Sequence, residues 1–172
     1  MNIFIPYKDD LFRSAECLDD LRLSHQIEEC KIIYEAINAT EARTTGLRHP
    51  IIKHYYNYPM FVIQFGYICC LEYRYRMSES HALHGYFFEK RTSFLSFADS
   101  KFARANFIPL YCQGAKGSEN FIRATKETDA LFQKRLCEKW DADTAKGRTP
   151  KWTRRGAPSF YESRIPANRI TG

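Results

Sequence analysis

The stretch from Pro59 to Met77, PMFVIQFGYICCLEYRYRM, sets the tightest limit on what this chain can fold into. It opens on proline, which suits the first position of a helix because the N–H lost there has no intrahelical partner. From there it is apolar nearly all the way round. A helix with no polar face has to be surrounded, so a long helix ending near Met77 is predicted at the centre of the molecule. Phe61, Phe65, Ile68 and Glu72 fall on one stripe of it. Glu72 is therefore a carboxylate in an apolar setting. It reads best as the partner of a buried arginine, Arg76 or Arg22, because an unpaired buried charge is strongly unfavourable.

A second helical stretch, Leu18 to Ile37 (LDDLRLSHQIEECKIIYEAI), carries the chemistry. Plotted at about 100° per residue, its outer arc is Asp20, Ser24, Glu28, Lys31 and Glu35, which should face water. The opposite arc holds Arg22, Gln26 and Glu29 among Leu18, Leu21 and Ile33, stacked on adjacent turns. A core-facing stripe is ordinarily apolar. Three polar side chains there are either a satisfied structural network or the floor of a working cleft.

The remaining elements are shorter. Asn2 to Tyr7 is an apolar run closed by Pro6, expected to anchor the chain start and too soon charged for a secretory signal. The first helix is placed from near Ser14 to about Asn38. A loop from Thr40 to Gly46 leads into LRHP, where Pro50 pushes His49 out of the helical region. A short helix is predicted over Ile51–Tyr58, one or two short helices after Ser78, and a loop from Asn106 to Gly117. Thr128 to Trp140 is amphipathic, with Leu131, Phe132, Leu136 and Trp140 on its apolar side and Thr128 or Thr125 as its cap. There is no internal repeat, no usable strand alternation, and nothing near the ~18 successive apolar residues of a membrane span. With 172 residues and 44% hydrophobic content, the expectation is all-α: a compact single-domain helical bundle over residues 1–172, with an irregular basic and aromatic C-terminal arm from 145 to 172.

Six cysteines without a CxxC spacing read as reduced, mostly buried thiols in a cytoplasmic protein. His81 and His84 have helical spacing but no third ligand, so neither a metal nor a cofactor is expected. The net charge of +6 is lopsided: residues 1–86 hold 9 Lys/Arg against 11 Asp/Glu, and residues 87–172 hold 17 against 9. The basic half points to a polyanion, nucleic acid above all, or to a surface charged for solubility. In the arm, Lys151, Arg154 and Arg155 flank Trp152, a pattern that suits phosphates with an aromatic face for a base. The same Trp152, with Tyr161, would equally pin the tail to the core. No Walker loop, GxGxxG, GxSxG or HExxH occurs, which removes the commonest nucleotide, hydrolase and zincin readings.

Several pieces taken together carry a resemblance. LDDLRLSHQIEE, then RHP, then EYRYR from Glu72, then Lys139 with Trp140, PKWT from Pro150 and PSFY from Pro158 resemble a phage and bacterial group related to the pyrimidine-dimer DNA glycosylase of T-even phages. The resemblance implies a sheetless set of helices, and an N-terminal α-amine that displaces the base at sugar C1′ and forms a Schiff base, with strand cleavage by β-elimination. It also implies a first-helix glutamate that holds the sugar and handles protons. Carried onto this chain, the glutamate is Glu29, with Arg22 and Gln26 in the same cleft. Residue 2 is asparagine, whose bulk leaves the initiator in place, so the amine would be that of Met1. Arg48, His49, Arg76, Lys151, Trp152, Arg154 and Arg155 would bind the backbone. The implied partner is double-stranded DNA with a damaged or modified base, met in the cytoplasm (of the host, for a phage product) and away from membranes. Two other readings stand beside it: a DNA-binding or interaction protein without chemistry, and an enzyme acting on free nucleotides or modified nucleosides.

Overall fold

The structure, a computed structural model, describes residues 3–39, 50–56, 58–97 and 128–162. Its elements there are α1 (Leu11–Cys17), α2 (Asp20–Asn38), α3 (Pro50–Tyr55), α4 (Pro59–Met77), α5 (His84–Phe97), α6 (Asp129–Thr144) and α7 (Ser159–Glu162). Among the described residues there is no strand, and no helix is long and apolar enough to cross a membrane. The expected turn at LRHP and the loop from Asn106 to Gly117 lie outside the described residues.

Helix α4 is the centre that its sequence demands. Phe61, Val62, Ile63, Phe65, Ile68, Cys69 and Cys70 are all buried along it, and it stops where Ser78 turns left-handed (φ 60°). Helix α2 lies against it through Leu23, Ile27, Cys30, Ile33 and Ile37. On another side α5 comes close because Gly66 has no side chain: a Cβ there would stand 2.6 Å from Cζ of the buried Phe87.

The first helix is not continuous. Leu18 (ψ 135°) and Asp19 (ψ 162°) are extended and divide it into α1 and α2. A helix end leaves carbonyls without intrahelical partners, and here side chains from far along the chain take them. Arg76 donates to Glu16 O at 2.8 Å and Leu18 O at 2.7 Å, and Trp152 Nε1 donates to Cys17 O at 2.9 Å. The same guanidinium reaches Glu72 Oε1 at 2.7 Å and Asp20 Oδ1 at 3.0 Å. Glu72 thus has the arginine partner expected of it. Arg76 itself is 1% exposed, and this corrects its expected place at a DNA-facing surface. Closed in by two carboxylates and three carbonyls, it knots α1, α2 and α4 together.

Two further corrections concern α2. Asp20, expected in water, is half-buried and accepts from Thr153 N at 3.1 Å and Thr153 Oγ1 at 2.7 Å, because the C-terminal segment folds back over it. Leu21, expected inward, is 42% exposed. The buried stripe of α2 runs through Leu23, Ile27, Cys30, Ile33 and Ile37, and Leu21 lies off it.

Helix α6 begins at its expected cap, with Leu131 N donating to Thr128 Oγ1, and runs one turn beyond Trp140. Trp140 is wholly buried and gathers the C-terminal segment around itself: ring centroids of Trp152, Phe160 and Tyr161 stand 5.1, 6.0 and 4.7 Å away. As far as Glu162, the arm is docked on the core. Cys17, Cys30, Cys69, Cys70 and Cys137 are free and buried, and burial pushes the Cys17 and Cys70 thiols up to about 12.

Candidate active site

Residues 3–8 are an anchored, non-helical segment between α2 and α6. Ile3 and Ile5 are buried, and the Phe4 N–H between them donates to Gln26 Oε1 at 2.9 Å. From the α6 side, Gln133 Nε2 donates to Pro6 O at 3.1 Å, and Lys8 N donates to Asp129 Oδ1 at 3.2 Å. Gln26 is 2% exposed. Its amide faces the incoming backbone and fixes Phe4 relative to α2.

Beside this anchor lies a cavity of about 440 Å³. Phe4 closes one wall. Leu21, Arg22, His25, Gln26 and Glu29 come from α2, Lys139 and Asp143 from α6, and Arg148 from the turn beyond it. The three polar residues singled out on α2 therefore do converge: Arg22 and Glu29, both half-buried, flank the fully buried Gln26. A smaller hollow of about 190 Å³ shares Leu21, Asp143 and Arg148 with the first and continues along Pro150 and Lys151.

The cationic wall is built from held charges and loose ones. Arg22 donates to Asp19 Oδ1 at 3.0 Å and to Asp143 Oδ2 at 2.6 Å, and Trp140 Nε1 fixes Asp19 from behind at 2.6 Å. Hydrogen bonding from Arg22 holds the Asp143 carboxyl below its usual range. Arg148 sits 3.5 Å from Asp143 Oδ1, with 58% of its side chain exposed. Lys139 is exposed at the rim. An anion entering the cavity thus meets one guanidinium held by two carboxylates and two exposed cations.

The other expected contacts divide. Met1, Arg48 and His49 lie outside the described residues. Lys151 is exposed along the smaller hollow. Arg154 is exposed and donates to Tyr75 O at 2.8 Å. Arg155 is drawn into the Glu72 cluster, 2.9 Å from Glu72 and 2.9 Å from Glu16, with its guanidinium over the Tyr75 ring. Trp152 is half-buried against Trp140, its indole N–H already engaged. His25, Asp143 and Arg148 had no place in the expected site. His25 was within reach, lying one helical turn from both Arg22 and Glu29. Asp143 and Arg148 become neighbours only when α6 packs beside α2. Among the described residues, no group of three or more His, Cys, Asp or Glu is placed to hold a metal.

Residues 1–84 match the sequence model of a family described as pyrimidine dimer DNA glycosylase. No curated protein and no solved structure matches the chain. The matched stretch carries the anchored start and the whole α2 wall of the cavity, including Arg22, Gln26 and Glu29. The α6 wall lies beyond it. Over this first stretch the chain resembles that family.

Proposed function

We propose that the protein is a DNA glycosylase that removes damaged or modified pyrimidines from duplex DNA in the cytoplasm, with lyase cleavage of the strand, and that the cavity between α2 and α6 is its active site. The family match over residues 1–84 supports this reading. The observation that carries it is that Glu29 opens on the same cavity as Phe4, the residue that fixes the chain start. Met1 lies three residues upstream of Phe4, a span of at most roughly 11 Å of chain. In this reading its amine is the nucleophile that works with the Glu29 carboxylate.

The chemistry follows from those two groups. An α-amine has a reference pKa near ~7.7–8.0, so a useful fraction is neutral and nucleophilic at cellular pH, unlike a lysine at ~10.4. Its nitrogen attacks sugar C1′. The bond to the base breaks, and the base leaves with the electron pair and takes up a proton. Ring opening gives an imine, whose cationic form Glu29 stabilises at short range. Glu29 then takes a proton from C2′, the double bond forms, and the 3′ phosphate leaves with the C–O electrons. Gln26 positions the start of the chain. Arg22, held by two carboxylates, is a preorganised charge for the flanking phosphate, and Lys139, Arg148, Lys151 and Arg154 extend the contact along the backbone. The volume of about 440 Å³ falls in the range of small-molecule sites and suits the sugar and base at the reacting centre.

The test is base release and incision of ultraviolet-irradiated duplex DNA. The wild-type protein should cleave the glycosidic bond (read as base freed after photoreversal, since the two bases of a dimer stay joined) and nick the strand, and Glu29→Gln should abolish both while still binding the duplex. Wild-type protein that binds DNA but acts on no pyrimidine lesion would leave a binding protein in place of an enzyme.

A further inference from the structure

Leu21 is a large apolar side chain, 42% exposed, on a rim otherwise rich in charge. A lone exposed leucine is ordinary; its mounting is not. It lines both hollows, the one that contains Glu29 and the one that continues toward Lys151. Among the described residues, the other large exposed apolar side chains, Ile32, Tyr75 and Phe88, line neither.

Both of its neighbours are fixed. The Asp20 N–H donates to Lys151 O at 2.8 Å, and its carboxylate receives Thr153 Oγ1 at 2.7 Å and Arg76 Nη1 at 3.0 Å. Arg22 is tied to Asp19 and Asp143, and Asp19 to Trp140. The residues on either side of Leu21 are thus tied down, and Leu21 itself lines both cavities.

We propose that Leu21 is a wedge: it enters the base stack beside the lesion and keeps an extruded base from returning while the Glu29 cavity faces the reacting sugar. The inference rests on the glycosylase reading. Taking a base out of the duplex costs its stacking and leaves a gap. An apolar side chain driven between base steps lowers that cost, and its neighbours Arg22 and Arg148 are placed for the phosphates on either side of the gap.

Two readouts test this. With 2-aminopurine next to the lesion, binding of the wild-type protein should raise its fluorescence several-fold, and Leu21→Ala should remove most of that rise. Separately, the rate of base removal from a fully paired duplex is divided by the rate from the same lesion in a mismatched bubble, where extrusion is already free. Leu21→Ala should lower that ratio at least about tenfold, and Leu21→Met should restore most of it. An unchanged ratio, or 2-aminopurine that stays quenched with wild-type protein, overturns the wedge. If wild-type protein raises the fluorescence through Leu21 yet removes no base, the wedge stands and the glycosylase reading falls. If it removes base equally well without Leu21, the glycosylase reading stands alone.

Discussion

Arg22 Nη2 stands 2.6 Å from Asp143 Oδ2, although 121 residues separate the two in the chain. This contact closes one end of the cavity and joins α2, which carries Glu29, to α6, which carries Lys139. Because Arg22 depresses the Asp143 pKa, the pair's contribution to stability is complete above the unfolded value of 3.8 and is lost as pH falls through the lower folded value. Asp143→Asn should therefore lower Tm at pH 7, and the gap between variant and wild type should narrow as melts are taken below pH ~3.8. A gap that is constant down to pH 2 would mean that charge is not what holds the pair.

Arg76 should be the most sensitive charged position. Arg76→Met leaves Glu72 and Asp20 each short of a partner and strips Glu16 O and Leu18 O of their donor, a loss of roughly 3–5 kcal/mol in urea unfolding. Arg76→Lys should recover only part of it, because one ammonium cannot span the positions that the guanidinium's three nitrogens occupy. Loss below 1 kcal/mol for Arg76→Met would show the knot to be dispensable.

Gly66 sets the approach of α5 to α4. Gly66→Ala should cost about 1–3 kcal/mol through overpacking against Phe87. Combined with Phe87→Leu, the loss should be smaller than the sum of the two single losses, a coupling that a double-mutant cycle reads directly. Strict additivity would place the clash elsewhere.

DNA binding should depend on salt through the cations exposed at the cavity. Lys139→Ala and Arg148→Ala should each reduce the log–log salt slope by about 1. Arg155→Ala should change it less, since that guanidinium is committed to Glu72 and Glu16. A larger effect from Arg155 would move the backbone's path to the opposite side of α1.

What the sequence made legible were features set by local pattern. Helix α4 has no polar face, so its central place follows from composition alone, and Glu72 with Arg76 is an i, i+4 pair that helical spacing names. The convergence of Arg22, Gln26 and Glu29 is likewise a matter of spacing. What escaped depends on chain returning from far away. The break at Leu18–Asp19 is stable only because Arg76 and Trp152 supply donors to the stranded carbonyls. Asp20 leaves the water only because Thr153 folds back on it. Gln26 reads as a cleft residue from its helix, yet its amide secures Phe4, which no periodicity could indicate. The α6 wall of the cavity needed the docking of α6 beside α2, information that neither helix contains by itself.

The account turns on an amine at the chain start working opposite Glu29. Borohydride reduction during reaction with dimer-containing duplex DNA, followed by peptide mapping of the adduct, tests it most directly. The account predicts a covalent adduct on the peptide that begins at Met1, absent with Glu29→Gln. An adduct on a lysine, or none with wild-type protein on any pyrimidine lesion, would contradict it.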